Sequence, residues 1–418
     1  MTLWRHELRL FLRQRMALPA LILTLILAIA SIAAGLGEIA RQEAAIARIP
    51  ALQREDVGAI ADFVLRKGDA GDAAYYTPHA TWDPPSPLAF AAIGQRDVAP
   101  YMLRVRALGV EGQIYDGELY NAELALPGRF DWAFVLTYLT PLILVALLHD
   151  LVSGERESGR ITLLRAMARS ERALWLRRIA LRVGLVYAAL ILPLIVGAVL
   201  SGAGSWDLAR MMAHALGYCL FWTGVMLAIG AAGWSSVANA ATGAAMWFGT
   251  TLVLPALANL AVNAAIPVRQ GVELTLAQRE AVHGGWDRPK DATMAAFFRT
   301  HPEWRGTSPV GLAFHWKWYF AFQQLGDESV AGQSRAYRAA LIDRDRWTRR
   351  LGWVLPTVGI QTATHRIART DLTAQIAYQD RIRAYHAAIR RFFYPYLFND
   401  VPFTRADFDR IPKWQPST

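Results

Sequence analysis

Residues 211–268 read MMAHALGYCLFWTGVMLAIGAAGWSSVANAATGAAMWFGTTLVLPALANLAVNAAIPV and contain no Asp, Glu, Lys or Arg. An α-helix needs about 20 apolar residues to cross the hydrocarbon core of a bilayer, so this stretch is long enough for two spans. The small and polar residues 233–239, GWSSVAN, interrupt the apolar pattern and predict a tight turn between those spans. The stretch therefore predicts a polytopic membrane protein of the mainly α class.

Three other apolar stretches precede this one. Residues 16–37, 132–148 and 183–206 lack charged side chains, and each is close to the length that one span requires. A sixth span at 351–361 is an open alternative, although this apolar stretch is short. The first span contains Ala28-Ile-Ala30, which resembles a signal-peptide cleavage site, but its length favours an uncleaved anchor. We expect five transmembrane helices, at 16–37, 131–149, 183–206, 210–232 and 240–267.

The composition agrees with a membrane location. Of 418 residues, 54% are hydrophobic and 19% are charged, whereas globular domains average about 45–50% and about 25%. These values exclude intrinsic disorder, a disulfide scaffold and an ordinary cytosolic enzyme, and the lone Cys219 allows no intrachain disulfide. The net charge of +10 does not indicate nucleic-acid binding, because the arginines flank apolar segments or lie in long loops instead of forming one compact basic patch.

The distribution of arginine predicts the orientation in a bacterial inner (cytoplasmic) membrane. Residues 1–15 carry four arginines and residues 149–182 carry eight, whereas residues 38–130 have nine basic and thirteen acidic side chains. Because basic residues near span ends stay in the cytoplasm, we place the N-terminus and the 150–182 loop there. Residues 38–130 and 268–418 are then extracytoplasmic. Residues 268–418 carry 22 basic and 14 acidic side chains, and this basic excess argues mildly against an extracytoplasmic location. The objection is mild because long translocated segments follow the rule poorly.

The two extracytoplasmic segments are expected to fold together. In the first, Ile39, Ile46 and Ile49 have helical spacing and predict that the first span continues out of the membrane as a helix. Further along, residues 101–126 alternate as short strands do, with Ile114 and Leu119 among the apolar positions. The second segment is mainly helical in pattern. The sequence therefore predicts a composite α+β extracytoplasmic domain.

Aromatic side chains are concentrated at residues 315–322 and 391–398. We expect these residues to form the core between the two extracytoplasmic segments. An aromatic belt at the membrane interface and a ligand-binding surface are the alternatives, because Trp and Tyr favour both settings.

Two short elements that we place in the cytoplasm contain the residues that suggest a mechanism. The first 15 residues predict an interfacial helix, with a neighbouring basic row and an apolar face made of Trp4, Leu8, Phe11 and Leu12. In the 150–182 loop, an acidic pair and a glycine break precede a short amphipathic helix that contains Ile161, Leu163, Leu164 and Met167. Ser170 is then the expected N-cap of the helix that leads into the third span. A short helix at this place could transmit movement from a cytoplasmic partner. The alternative is that the segment is a solvated basic loop that only fixes the topology.

The pattern Glu155-x-Glu157-x-Gly159-x-x-Thr162-Leu163-Leu164 resembles the acidic signature and coupling helix of type-2 ABC transporter permeases, in particular a subgroup with large extracytoplasmic insertions. The resemblance implies a permease that pairs with a second copy or a paralogue and is driven by ABC ATPase subunits, which would bind ATP and Mg. It implies ATPase-coupling roles for Glu155, Glu157, Gly159, Thr162, Leu163, Leu164 and Met167. The chain departs from that family in Arg160 and Ile161 and in lacking an evident final return span.

The chain has no chemistry of its own to supply energy. Its four lysines have no Gly-x-x-x-x-Gly-Lys-[Ser/Thr] frame, and no His-Glu-x-x-His or Gly-x-Ser-x-Gly motif occurs, so we expect no catalytic residue, bound cofactor or metal site. Few ionisable groups lie in the spans, which argues against a gradient-driven carrier. The polar residues that remain as candidates for the pore are His214, Asn239, Asn259 and Asn263. A role for His214 in packing is favoured over a proton relay.

Three functions stay open at this point. The favoured one is an ABC permease subunit that couples ATP hydrolysis to export or to conformational work on the envelope side. The second is a mechanotransmission subunit that acts on an envelope partner without transport. The third is a membrane-anchored binding or assembly protein with no ATPase.

Overall fold

The computed structural model describes residues 2–115, 128–167, 170–268 and 271–416. The structure is mostly helical, at 78%. Within the described residues, five helices are long and apolar enough to cross a membrane, which confirms the expected number. They are Ala17–Arg66, Trp132–Glu157, Glu171–Leu200, Ser205–Ala231 and Ser236–Ala265.

The chain begins with the short helix α1 (Thr2–Leu12), followed by the very long helix α2 (Ala17–Lys67). At 1.5 Å per residue, the 51 residues of α2 extend about 75 Å, more than twice the roughly 30 Å hydrocarbon core. Ile39 packs in the same core as the apolar half of the helix, and Ala61 and Val64 pack in a second, outer core. The expected continuation of the first span as a helix is confirmed.

Residues 70–115 pack along α2, with residues 88–92 in the core of the apolar bundle and the two strands beside the outer half of the helix. Strand β1 pairs with strand β2 in an antiparallel two-stranded sheet, with His79 opposite Val105 and Trp82 opposite Met102. The strand expected around Ile114 is wrong, because Ile114 is buried in a short helix, and Leu119 lies outside the described residues. The sheet content is therefore small. The elements of this segment are α3 (Ala70–Tyr76), β1 (His79–Trp82), β2 (Met102–Val105) and α4 (Val110–Tyr115), with 3-10 turns at Ala89–Ala91 and Gly94–Asp97.

The helices of the apolar bundle include two π-helical turns, Val135–Leu139 and Gly249–Val253, each followed by a helix with a proline in its first turn. A proline there lacks the N–H that would continue the regular ladder, which accounts for the widened turn. Residues 232–235 connect the fourth and fifth spans, where the tight turn was expected. The elements are α5 (Trp132–Phe134), α6 (Thr140–Leu148), α7 (Ser153–Glu157), α8 (Ile161–Met167), α9 (Glu171–Leu200), α10 (Ser205–Ala231), α11 (Ser236–Phe248) and α12 (Leu254–Ala265).

The remaining described residues are helical, apart from their connections. Their aromatic side chains form the outer core together with residues of α2, β2 and α4, so the core role expected for the two aromatic patches is confirmed. Buried members include Trp318, Phe320, Phe322, Phe393 and Phe398. The elements are α13 (Gly271–Asp287), α14 (Lys290–Thr300), a 3-10 turn at Pro302–Trp304, α15 (Trp316–Leu351), α16 (Pro356–Ile367), α17 (Leu372–Phe398) and α18 (Arg405–Arg410).

The weak sixth-span candidate, 351–361, forms the tip of a helical hairpin. Helix α15 ends at Leu351, and α16 returns in the opposite direction with Ile360 buried in the core of the apolar bundle. The hydroxyl oxygen of Thr357 lies 3.2 Å from that of Thr251 in the fifth span and 3.4 Å from the hydroxyl of Tyr218 in the fourth. The segment therefore enters the bundle from one side and returns, instead of crossing it.

Candidate functional site

The helix α8 stands out from the apolar bundle. None of its seven residues is buried, and the side chains of Leu163 and Met167 are 61% and 77% exposed. Gly159, with φ +72°, permits the sharp bend between α7 and α8, since this left-handed conformation is strained for residues with a Cβ. The short amphipathic helix expected here is present, and two of its apolar side chains, Leu163 and Met167, are largely exposed. Thr162 is also exposed, and Leu164 is half-buried.

Glu155 fixes the base of α8 to two other helices. Its carboxylate accepts hydrogen bonds from Arg160 Nε at 2.8 Å and from Arg178 Nη1 at 2.9 Å. Arg178 in turn donates from Nε to Glu7 in α1 at 3.3 Å. The side chains of Glu7 and Arg178 are largely shielded from solvent. Partial burial strengthens these charge-assisted bonds, so α1, α7 and α9 are held together at one point.

Glu157 faces a different part of the bundle. Its carboxylate accepts hydrogen bonds from the Ser236 backbone N–H at 2.6 Å and from the Ser236 hydroxyl at 3.0 Å. Ser236 begins α11, where unpaired N–H groups and the helix dipole favour a negative charge. The neighbouring Arg156 donates to the carbonyl of Trp234 in the turn between the fourth and fifth spans. The two glutamates therefore connect the base of α8 to opposite sides of the bundle.

A buried polar cluster supports the same joint. Asn239 donates from Nδ2 to the His149 carbonyl at 3.1 Å and to the Ser153 hydroxyl at 3.2 Å. The hydroxyls of Ser153 and Ser236 lie 2.8 Å apart. These bonds pair the amide nitrogen of Asn239 and the hydroxyls of the two serines, and they fix the start of the fifth span on the end of the second.

The helix α1 packs on this joint. Glu7 and Phe11 are buried, Leu8 is half-buried, and Trp4 and Leu12 are exposed. The pairing of Glu7 with Arg178 turns one side of α1 toward α9, and the location of Trp4 and Leu12 in the membrane interface stays a prediction. The guanidinium of Arg182 lies 5.8 Å from the centre of the Phe11 ring, a cation–π contact.

A groove of about 380 Å³ lies between α1 and α8. Its walls include Leu10 and Phe11 on one side and Leu163 and Leu164 on the other. Arg160 and Arg178 line the same groove together with Glu155 and Glu7, the carboxylates with which they pair. An apolar surface bordered by paired charges is suited to a protein partner that presents apolar side chains.

The four candidate pore residues are not brought together within the chain. His214 is exposed, and its Nδ1 lies 2.7 Å from the carbonyl oxygen of Arg210 on its own helix. Asn259 and Asn263 contact each other at 3.4 Å on α12, and Asn239 belongs to the cluster at the other end of that span. These side chains occupy different parts of the bundle, and a role for them in a pore stays a prediction.

Sequence analysis missed Glu7 and the structural roles of Arg178 and Arg182. All the arginines of the 150–182 loop were interpreted as determinants of topology. A signal was available in the spacing, since Arg178 and Arg182 are four residues apart and lie on one face of α9. Elsewhere, in the part of the chain that the structure describes, no group of three His, Cys, Asp or Glu side chains is arranged to hold a metal ion.

Comparison with known proteins identifies one feature. Residues 272–417 match a family described as a domain of unknown function, DUF3526. This match covers α13–α18, which is about a third of the chain. No curated protein and no solved structure matches the chain.

Proposed function

We propose that the chain is a permease subunit of an ATP-driven ABC transporter in a bacterial inner membrane, with α8 as the docking helix for a partner ATPase. The observation that carries the proposal is the exposed apolar surface of α8 on a base held by Glu155 and Glu157. A single exposed apolar residue is common on protein surfaces. Several exposed apolar residues on one short helix between two spans, with a groove beside it, favour a protein contact.

The arrangement suits the transmission of motion. A displacement of α8 would pass through Glu155 to α1 and α9, and through Glu157 to the start of α11. Charged hydrogen bonds resist separation more strongly than neutral ones, so the joint would move as a unit. Both halves of the bundle would then respond to one event at the partner. ATP and Mg would be bound by that partner, since this chain has no phosphate-binding lysine motif.

The fifth span supports pairing with a second permease, either a second copy or a paralogue. In its most apolar window, 6% of the residues are buried within the chain, compared with 61% for the second span. Lipid covers some of such a surface, and a second permease would cover the rest. The N-terminus and α8 would face the cytoplasm, with the outer core and the C-terminal part on the extracytoplasmic side.

The test is purification of the tagged full chain from its native host, followed by measurement of ATP hydrolysis. We expect a P-loop ATPase to co-purify, and we expect Leu163→Asp and Met167→Asp to abolish its recovery. Leu312→Asp is the matched control, because Leu312 is fully exposed but lies far from α8 in the fold. Recovery of the ATPase with both α8 variants would contradict the proposal.

A mechanotransmission role without transport is the second candidate. The continuity of α2 favours it, because this one helix contributes Ala28 to the bundle core and Val64 to the outer core. A continuous helix of this kind would carry movement from the bundle to an envelope partner. Substrate flux in reconstituted vesicles distinguishes the two roles, since transmission alone predicts ATP hydrolysis with no flux. A membrane-anchored assembly protein predicts neither activity and would keep its function in the α8 variants.

A further inference from the structure

A cavity of about 560 Å³ lies in the outer part of the molecule, away from the α8 joint. It is bounded by the outer half of α2, by β1, by α17 and by the C-terminal residues 405–414. Its volume falls within the range of about 300–1,000 Å³ that is usual for small-molecule sites. The proposed ATPase partnership makes no use of this cavity.

The walls combine apolar surface with hydrogen-bonding groups. Val57 and Ala61 of α2, Trp82 of β1, and Phe408 and Trp414 of the C-terminal part supply the apolar surface. The C-terminal wall is held in place by two bonds, from Trp414 Nε1 to the Trp82 carbonyl at 2.8 Å and from the Tyr385 hydroxyl to the Pro412 carbonyl at 3.0 Å. The cavity is thus a built feature of the fold.

Thr77 and His79 also line the cavity and are 0% and 3% exposed. The hydroxyl oxygen of Thr77 and Nε2 of His79 are shielded from solvent, so these two atoms lie behind the cavity surface. Burial lowers the pKa of His79 to about 3, so its ring is neutral and can donate from one nitrogen.

The charge around the cavity is mainly positive. Arg54, Arg405 and Lys413 line it, together with one acidic residue, Asp409. Arg405 also pairs with Asp62 at 2.8 Å, which reduces its contribution. The remaining excess of basic groups favours an anion over a cation, because apolar walls with one sign of charge concentrate the opposite charge.

We propose that this cavity binds a small amphipathic anion, with an apolar body and a carboxylate or phosphate group. The apolar walls would enclose the body of the ligand. Arg54 and Lys413 would supply the preference for negative charge. The proposal stands apart from the ABC assignment, since it depends on none of the residues around α8.

Binding is tested with the full chain in phosphatidylcholine nanodiscs by equilibrium dialysis, with empty nanodiscs as the blank. The probes are octanoate, octyl phosphate and octylammonium, which share one apolar chain and differ in the charged group. We expect saturable binding of one anion per chain, with octylammonium about tenfold weaker. Preference for octanoate would indicate free carboxylic acids, and preference for octyl phosphate would indicate phosphate esters derived from lipids. Absence of saturable anion binding, or equal binding of octylammonium, would overturn the proposal.

Gly58 offers a matched pair of variants. It lines the cavity, and a Cβ built there meets no atom within 4 Å. Gly58→Ala should leave binding intact, whereas the bulky ring in Gly58→Trp should fill the cavity and weaken binding about tenfold or more. Unchanged affinity in Gly58→Trp would overturn the assignment of the site.

A second set of variants covers the case in which Gly58→Trp impairs folding. The double variant Arg54→Gln with Lys413→Gln should weaken anion binding by roughly fivefold, since each exposed charge contributes modestly. Arg48→Gln is the control, because Arg48 is an exposed residue of the same helix that does not line the cavity. Equal affinity in the double variant and the control would contradict the proposed anion preference.

Discussion

The carboxylate of Glu155 lies 2.9 Å from Nη1 of Arg178, and this ion pair joins the base of α8 to the third span. Arg178 also contacts Glu7 of α1 at 3.3 Å, so one guanidinium connects two acidic groups from distant parts of the sequence. The acidic signature identified in the sequence thus has a structural role inside the chain. Glu155 holds α8 in place, and the exposed apolar residues of α8 form the surface that we propose for the ATPase contact.

Neutralising this pair should destabilise the joint. We expect Glu155→Gln to lower the free energy of unfolding by about 1–2 kcal/mol, because it removes the charge from two hydrogen bonds in a partly buried setting. The measurement is thermal unfolding of the purified chain in detergent. Glu171→Gln is the control, since Glu171 forms an exposed ion pair with Arg165 and should leave the unfolding temperature unchanged. Equal effects of the two substitutions would contradict a special role for Glu155.

The hairpin tip between α15 and α16 depends on a close approach of two glycines. A Cβ on Gly359 would lie 2.4 Å from the carbonyl oxygen of Gly352, which forces the backbone to move. We expect Gly359→Ala to destabilise the protein by about 1–3 kcal/mol through this clash. The control is Gly332→Ala in α15, where a Cβ meets nothing within 4 Å and the change should stabilise the helix by about 0.5–1 kcal/mol. The sign of the change in unfolding temperature separates the two variants.

Three buried histidines should make stability depend on pH. Burial lowers the pKa of His79 to about 3, the pKa of His365 to about 4 and the pKa of His386 well below its usual 6.5. The three rings are neutral in the folded chain at neutral pH, but below about pH 6.5 they bind protons in the unfolded chain. Folding stability is therefore fully present above pH 6.5 and falls as the pH decreases, by up to about 1.4 kcal/mol per pH unit for each histidine.

Thermal unfolding between pH 7.5 and pH 5 measures this dependence. His79→Leu should reduce the slope below pH 6.5, because one of the three contributing groups is lost. The same substitution at the exposed His283 should leave the slope unchanged. A slope that is unaffected by His79→Leu would show that this ring is not kept neutral by the fold. Asp407 does not contribute between pH 7.5 and pH 5, because hydrogen bonds from Thr404 lower its pKa to about 2 and it titrates at more acidic pH.

The sequence predicted the elements whose signal is local. Five spans follow from the length of the apolar runs, and α8 follows from a glycine break and an amphipathic repeat. The N-cap Ser170, whose hydroxyl accepts from the Ala173 N–H at 3.3 Å, was also predicted correctly. In each case a short window of residues contains the physical cause, so no knowledge of distant contacts was needed.

The features that were missed depend on contacts between distant residues. Thr357 reaches the fourth and fifth spans because Gly352 and Gly359 let the hairpin close, which no apolar run reveals. Glu7 turns one face of α1 inward by pairing with Arg178. The two residues are 171 positions apart in the sequence, so no local pattern reveals the pair. The cavity beside His79 likewise combines residues from α2, β1 and the C-terminal part.

Cross-linking from α8 tests the central claim most directly. A cysteine introduced by Met167→Cys is exposed, whereas the native Cys219 is buried and should not react. In membranes of the native host, a thiol-directed photo-cross-linker at this position is expected to capture a P-loop ATPase, with Leu312→Cys as the control that captures none. Capture of the ATPase from Met167→Cys alone is the predicted result. A failure to capture any ATPase from this position, with the protein intact in the membrane, would contradict the account of α8 as the docking helix.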